Sequence, residues 1–399
     1  MNYGWIVVLA GTGINLMFGV LYAWSIFGAN LSSMYKWTSV EASLPYTTAI
    51  TMFAVLMLVG GKLQDRLGPR LVATAGGVFV GAGMIVSSLF PSLPGVIIGF
   101  GVLTGAGIGM GYSATTPAAV KWFPPSNKGL ITGIVVGGFG LASLYISPLT
   151  KYLISTYGLF ASFQILGIGF GVIIITLAQL LKVPQIAPAP VASAGAALPA
   201  AISNDYTWRE MLATKQFYIL WLMFVAGAIA GLMMIGHLAK IANLQTGQNV
   251  GYALVSFIAI SNALARPIAG FISDKLGRGR TMMFLYVLQG AALVVFSGFN
   301  TFGLVLAGAL IVTFAYGAMI AVYPSAIGDF YGLKNMGFNY ALLFTAWGVG
   351  GVIGPVLAGY ILDKTGGYHV AFMVAAVLCF FAAVLGWILK PPGPRQQAA

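Results

Sequence analysis

One phrase occurs twice in this chain of 399 residues, and it constrains the fold more than any other feature. Gly61-Lys62-Leu63-Gln64-Asp65-Arg66-Leu67-Gly68-Pro69-Arg70 returns as Gly270-Phe271-Ile272-Ser273-Asp274-Lys275-Leu276-Gly277-Arg278-Gly279-Arg280, and each copy sits between two long apolar stretches. The glycines, the acid and the base that follows it repeat at an offset of 209 residues. An offset of about half the length implies two similar halves, and repeats of this kind inside a membrane are how many carriers build alternating access.

Composition agrees with a membrane setting. Hydrophobic residues make up 59% of the chain and charged ones only 7%, with a mean hydropathy of +0.94, too few charges to cover a soluble surface of this size. A helix needs roughly 20 apolar residues to cross the hydrocarbon core. Twelve such segments, six per half, run approximately over 4–29, 43–64, 71–90, 94–121, 127–152, 158–182, 215–240, 249–272, 281–299, 302–327, 335–362 and 367–390. The expected fold is therefore an all-α integral membrane protein of twelve transmembrane helices in two pseudo-symmetric six-helix bundles. Runs such as Gly105-Ala106-Gly107-Ile108-Gly109-Met110-Gly111 point to close helix packing, not phosphate binding.

Alternating the loops between two sides sorts the basic residues very unequally. Fourteen fall with the repeated loops, Lys62, Arg66, Lys121, Lys128, Arg278, Lys334 and Arg395 among them; only Lys36, Lys151, Lys240 and Lys364 fall on the other side, and Arg266 lies within the membrane. The positive-inside rule then puts both termini, both repeated loops and the central linker in the cytoplasm. The net charge of +12 reflects topology and contact with anionic membrane lipid, and no nucleic acid partner is expected. The first helix begins almost at Met1 without a charged n-region or a small-residue cleavage site, so it reads as a retained span. Cys379 is the only cysteine, which excludes disulfides and cysteine-based metal sites. The chain divides into an N-terminal bundle over 1–182, a cytoplasmic linker over 183–210 and a C-terminal bundle with a short tail over 211–399. The Ala- and Pro-rich part of the linker reads as a flexible joint. Thr207-Trp208-Arg209-Glu210 has capping-box spacing and predicts a short amphipathic helix.

A charge in the membrane needs a reason, because an Arg at a helix centre costs roughly 2.5–3.5 kcal/mol on insertion scales. Arg266 is the clear case. Asn262 lies four residues earlier, so the amide and the guanidinium share one helix face. Together they supply a planar positive fork and a neutral donor or acceptor, which suits a carboxylate with a neighbouring hydroxyl or keto oxygen. The alternative is a structural Arg held by backbone carbonyls. All seven acids, Glu41, Asp65, Asp205, Glu210, Asp274, Asp329 and Asp363, fall in loops or at helix ends, so the missing counter-charge would be the substrate. Mid-helix aromatics with a polar tip, Tyr22, Tyr112, Tyr316 and Trp347, are further candidates. His237 and His369 read as interface residues. In the repeated loops Asp65, Arg66, Arg70, Asp274, Lys275 and Arg278 are expected to gate, the acids pairing with bases or helix N-termini across the interface between the halves.

Twelve spans, a central linker and the paired Gly-x-x-x-Asp-[Arg/Lys]-x-Gly loops resemble the major facilitator superfamily along the whole chain. Gly19-Val20-Leu21-Tyr22-Ala23-Trp24, Gly111-Tyr112, Lys121-Trp122-Phe123-Pro124 and Arg266-Pro267 resemble its oxalate:formate antiporter and monocarboxylate transporter group, bacterial L-lactate carriers included. In the oxalate carriers two basic residues, on helices 8 and 11, hold the two carboxylates. Arg266 matches the first, whereas the second falls on Trp347. One fixed charge balances one carboxylate, so the resemblance implies a monocarboxylate. Vertebrate monocarboxylate transporters carry an Asp four residues before the helix 8 Arg and a Lys in helix 1; here those features are Asn262 and no base near Tyr22, which leaves the proton route open. The resemblance places Leu21, Tyr22, Tyr112 and Phe139 on the first half of the pocket and Asn262, Arg266, Tyr316, Phe344 and Trp347 on the second. Phe344 and Trp347, three residues apart, share a helix face and would form an aromatic wall.

These readings converge on a monomeric secondary transporter of small monocarboxylates such as L-lactate or pyruvate, in the bacterial inner membrane, with a co-transported proton. Carboxylate exchange is the alternative, and a channel-like facilitator or a non-transporting sensor is a third reading. No Ser/His/Asp set or His/Glu cluster marks an enzyme, and no cofactor or metal is implied.

Overall fold

The computed structural model describes residues 3–184, 205–248 and 251–393. The Ala- and Pro-rich centre of the expected linker, 185–204, and the tail residue Arg395 lie outside the described residues. Twelve long helices follow the order of the apolar segments: α1 Tyr3–Tyr35, α2 Ser39–Leu67, α3 Pro69–Leu89, α4 Leu93–Val120, α5 Lys128–Tyr157, α6 Leu159–Ala178, α7 Lys215–Thr246, α8 Gly251–Leu276, α9 Arg278–Phe296, α10 Phe302–Tyr331, α11 Met336–Thr365 and α12 His369–Ile388. No strand occurs among the described residues. Eleven of the helices are long and apolar enough to cross a membrane, and α8, with 26 residues, holds the twelfth place.

Several helices outrun the apolar segments that predict them. Helix α1 reaches Tyr35 and not 29, α5 reaches Tyr157 and not 152, and α7 reaches Thr246 and not 240. Helical hydrogen bonds are local and persist past the hydrocarbon edge, whereas hydropathy registers only the lipid-covered part. Helix α1 is also not one uniform helix: it passes through a 3-10 turn at Gly19–Ala23 between two α-helical parts. Chain reversals are set by specific residues. The side chain of Thr38 caps α2 in a reciprocal pair with Glu41, and Gly68 and Gly277, the same glycine of the two phrases, both take φ of 86° where α2 turns into α3 and α8 into α9.

The halves are built alike. In the first, α3 packs on α6 and α2 on α4; in the second, α9 packs on α12 and α8 on α10. They meet along two principal helix pairs, α5 against α8 and α2 against α11. Outer faces carry exposed Leu9, Val172, Val356, Val377 and Phe381, an apolar surface that lipid covers. The interior is small and tight, and every residue of α4 from Gly105 to Val120 is buried. Asp205 to Thr207 is tied to the second half: Tyr206 N–H donates to Tyr331 O at 2.9 Å, and the Asn335 and Asn339 amides donate to Tyr206 O, each at 3.0 Å. The short helix Trp208–Leu212 follows, with Thr207 and Glu210 in a capping box.

Candidate functional site

All nine residues expected on a pocket line a single cavity at the junction of the halves. Leu21, Tyr22, Tyr112 and Phe139 come from α1, α4 and α5; Asn262, Arg266, Tyr316, Phe344 and Trp347 come from α8, α10 and α11. Its volume is about 90 Å³, far below the roughly 300–1,000 Å³ of pockets for drug-sized ligands. The space fits a solute of a few heavy atoms. Arg266 is the only charged residue on its wall.

Arg266 is 2% exposed. Its Nη2 donates to Asn262 Oδ1 at 2.9 Å, one turn earlier on α8, and its Nη1 donates to the carbonyl of Val136 on α5, in the opposite half. Its Nε has no partner. A buried guanidinium with an open N–H retains an unused edge for an oxygen acceptor. Asn262 Nδ2 donates in turn to Thr313 O at 3.2 Å, which fixes the amide so that its oxygen faces the guanidinium. Pro267 follows Arg266 inside the helix and has no N–H, so the usual helical bond to Ala263 O is missing beside the charge.

Aromatic rings shape the rest. Trp347 Nε1 donates to Tyr316 Oη at 2.7 Å, so the tyrosine's own hydrogen is left for another acceptor. Phe344 and Trp347 stack at 5.0 Å between centroids, forming the aromatic wall expected from their spacing. Tyr112 and Tyr22 each meet Phe139 edge-on, at 5.9 and 5.4 Å. Two aromatics not singled out from the sequence also line it, Tyr46 and Phe53 of α2, and the aliphatic Leu232, Ile235 and Ile320 complete the lining. Phe53 crosses between the halves, 5.6 Å from Phe344 and 5.7 Å from Trp347. The seven-residue spacing of Tyr46 and Phe53 puts both on one face, but the stretch around Phe53, Ile50-Thr51-Met52-Phe53-Ala54-Val55-Leu56-Met57-Leu58, is apolar on nearly every side and offers little contrast against which that face stands out.

A second, larger space of about 510 Å³ adjoins the cavity on the side away from the repeated loops. Leu21, Tyr22 and Tyr46 line both, so these side chains form the partition. Ser25, Ser143 and Ser147 give the outer space a hydroxyl lining.

The loop face is closed. Asp65 accepts from the N–H groups of Gly337 and Phe338, at 3.1 and 2.9 Å, in the first turn of α11. Asp274 accepts from Gly129 and Leu130, at 2.8 and 2.9 Å, in the first turn of α5. Each acid thus caps a helix N-terminus of the other half, where the free N–H groups and the helix dipole favour negative charge. The backbones cross closely at both places, Gly61 on Gly337 and Gly270 on Gly129, and a Cβ at any of the four would strike carbonyl oxygen of the opposing chain. Arg278 joins Asp274 at 2.7 Å and Asp329 at 2.8 Å, and Lys128 joins Asp329 at 3.1 Å. Lys121 stands near the first crossing; burial pushes its pKa below the usual lysine value, while the charges of Asp65 and Asp205 oppose the shift.

The other expected gating residues do not bridge the halves. Arg70 donates to Gln179 O at 2.7 Å within the first half, Lys275 lies 4.3 Å over the Phe271 ring of its own helix, and Arg66 has no hydrogen bond or ion pair among the described residues. Their side chains leave the crossing, whereas the acid of each phrase points toward the facing N-terminus, with Gln64 beside Asp65 and Arg278 beside Asp274. His237 is likewise occupied: its ring nitrogens lie 2.8 Å from Tyr368 Oη and 3.0 Å from Pro355 O.

The profile of the Major Facilitator Superfamily matches residues 7–261 and 241–399. The chain belongs to this superfamily. The fold of this superfamily member agrees: the crystal structure of the Escherichia coli fucose:proton symporter FucP superposes with a TM-score of 0.74 at 14% identity, covering 98% of this chain and 100% of that one. The proton:xylose symporter XylE gives 0.72 at 12% identity, over 98% and 97%. Among sequence relatives, the uncharacterized transporter YhjX of Escherichia coli (strain K12) is 30% identical over 87% of this chain and 86% of its own. The oxalate:formate antiporter of Oxalobacter formigenes is 28% identical over 98% and 92%, and monocarboxylate transporter 13 of Rattus norvegicus 25% identical over 98% and 89%. As a major facilitator the chain is a multi-pass transporter and not an enzyme.

Proposed function

We propose that this protein carries small monocarboxylates, L-lactate and pyruvate among them, across the bacterial inner membrane, with a proton moving alongside the substrate. The observation that carries the reading is the buried Arg266, whose Nε lacks a partner in a small cavity with no other charge. One cation in a low-dielectric site balances one carboxylate, and a dianion would bring a second, uncompensated charge. The amide of Asn262 and the hydroxyl of Tyr316 stand beside it to read a second oxygen, and Phe344 and Trp347 cover the carbon skeleton. Relatives named for monocarboxylate and for oxalate and formate transport support the class of substrate.

The excess of basic residues at the repeated loops assigns that face to the cytoplasm. In this reading the structure is the state closed to the cytoplasm, with the hydroxyl-lined space leading outward, and transport proceeds by rocking of 1–182 against 211–390 about the central cavity.

The test is radiolabelled L-lactate uptake into empty proteoliposomes, with and without an inward pH gradient, for the parent and for Arg266→Lys. Gradient-stimulated uptake that falls by about 100-fold in Arg266→Lys is expected, because charge is kept and the planar fork is lost. Parent-level uptake by the variant would remove Arg266 from the site. The named antiporter relative favours a second reading, exchange of one carboxylate for another; uptake that appears only in vesicles preloaded with a carboxylate would select it.

A further inference from the structure

The guanidinium of Arg266 does not stand in open space. It lies against the backbone of α5, and α5 offers it a face without side chains: Gly133, Gly137 and Gly140 follow at spacings of four and three and face α8. The three are not equivalent. A Cβ on Gly133 would strike the carbonyl oxygen of Arg266, so this glycine serves the helix crossing. A Cβ on Gly137 would have nothing nearer than Ala263 O at 4.0 Å, so its position has room. A Cβ on Gly140 would lie 3.1 Å from Arg266 Cζ, 3.2 Å from Arg266 Nη2 and 3.2 Å from Ala263 Cα. Gly140 alone therefore meets the charged plane itself.

The same plane is tied one turn earlier to Val136 O. That carbonyl and Asn262 Oδ1 hold Nη1 and Nη2, while Nε stays unpartnered in the buried wall. A neutral carbonyl is a weaker acceptor for guanidinium than a carboxylate, since charge-assisted hydrogen bonds are roughly twice as strong as neutral ones.

We infer that Gly140 is the positioning residue of the carboxylate receptor, the absence of its Cβ setting how deep the Arg266 guanidinium sits against α5, and that the Val136 carbonyl is the internal acceptor an incoming carboxylate displaces. The inference rests on the reading of Arg266 as the carboxylate-binding group. Gly140 touches no substrate in it. Its side of the site determines where the fork points, and with it which oxygen acceptor completes the open edge at Nε.

The inference is tested by L-lactate uptake over a range of concentrations in proteoliposomes, for Gly140→Ala, Gly137→Ala and Arg266→Lys beside the parent, each reconstituted from a monodisperse preparation. A displacement of a few tenths of an ångström at a binding fork is expected to raise the KM of Gly140→Ala by roughly 10-fold, with the maximal rate within about 2-fold of the parent. Gly137→Ala should match the parent in both quantities. A general packing defect would instead lower the maximal rate, and would do so in both glycine variants. Should Gly140→Ala not fold, the same change is made in Asn262→Ala, which frees Nη2 of the crowded guanidinium from its amide tie, and its KM is read against Asn262→Ala alone. Parent KM in Gly140→Ala, or equal losses in the two glycine variants, would overturn the inference. If Arg266→Lys itself transports like the parent, the reading beneath it fails; if Arg266→Lys is impaired and Gly140→Ala is not, only the inference fails.

Discussion

The two repeated loops make the same backbone contact with different electrostatic support. Asp65 and Asp274 each bind two N–H groups at the start of a helix in the opposite half, and each crossing is made by a pair of glycines. Around Asp274 the contact is embedded in charge: Arg278, four residues on, pairs with it at 2.7 Å, and Asp329 links Arg278 to Lys128 across the interface. Around Asp65 the corresponding position is Pro69, and the neighbour that reaches the carboxylate is the neutral Gln64 amide. One latch is a network, and the other is a single carboxylate on a helix end. The two halves share the geometry of the contact and differ in the charges around it.

The comparison predicts unequal sensitivities. A cysteine at Ser147, in the outer space, with Cys379→Ala to remove the native thiol, reports the closed loop face through its labelling by an impermeant maleimide. Arg278→Ala should have the largest effect. Arg278 and Asp274 are 6% and 3% exposed, and removing one partner of a buried pair costs about 3–5 kcal/mol. Both carboxylates partner Arg278 within the second half, so only the share of that cost specific to closure shifts the populations; half of it, about 2 kcal/mol, is already more than 10-fold at about 1.4 kcal/mol per tenfold. Labelling of Ser147→Cys should fall accordingly, and an unchanged rate would show that the network carries no weight in closure.

Asp65→Asn should come next, at about 1–3 kcal/mol, because it removes the charge from two hydrogen bonds and from a helix dipole but breaks no direct ion pair, and Lys121, which also feels Asp65, keeps the charge of Asp205. An effect as large as that of Arg278→Ala would make the two latches equivalent and break the comparison.

How much of this arrangement was legible before the structure depends on where contrast existed in the sequence. Asp65 and Asp274 announced themselves because the same phrase appeared twice. Arg266 and Asn262 stood out because a charge and an amide four residues apart interrupt an otherwise apolar helix. Lys128 and Asp329 gave no such signal. They lie 201 residues apart at the ends of two apolar spans, and each reads as an ordinary rim charge until the halves are brought together. A weaker repeat would have pointed there: Asn127-Lys128-Gly129 and Asn335-Met336-Gly337 recur at nearly the offset of the main phrase, and their glycines are the partners of Gly270 and Gly61. The fold was legible for a different reason, since hydrophobic length and charge asymmetry are averages over many residues. Arg66, Arg70 and Lys275 show the converse. Arg66 and Lys275 repeat along with the acids and Arg70 belongs to the same phrase, yet side chains one or more positions away on a helix point elsewhere.

Restoring the missing base tests the comparison from the other side. Pro69→Arg places a guanidinium four residues after Asp65, as Arg278 stands after Asp274. Pro69 is buried, so the longer side chain must find room and the gain should stay at about 0.3–1 kcal/mol, seen as a modest rise in Ser147→Cys labelling. A fall would mean that Pro69, at the first position of α3, contributes more through its fixed backbone than a charge returns.

The smallest effects belong to the repeated bases that do not cross. Arg66→Gln and Lys275→Gln should each shift labelling by less than about 0.5 kcal/mol, the range of surface substitutions without a specific partner. Lys275 has only the Phe271 ring beneath it, on its own helix, so its loss leaves the contact between halves intact. These two positions carry the base of the repeated phrase. A large effect at either would mean that the base engages the opposite half in a conformation other than the closed one, and the division between one networked and one solitary latch would then hold for this state alone.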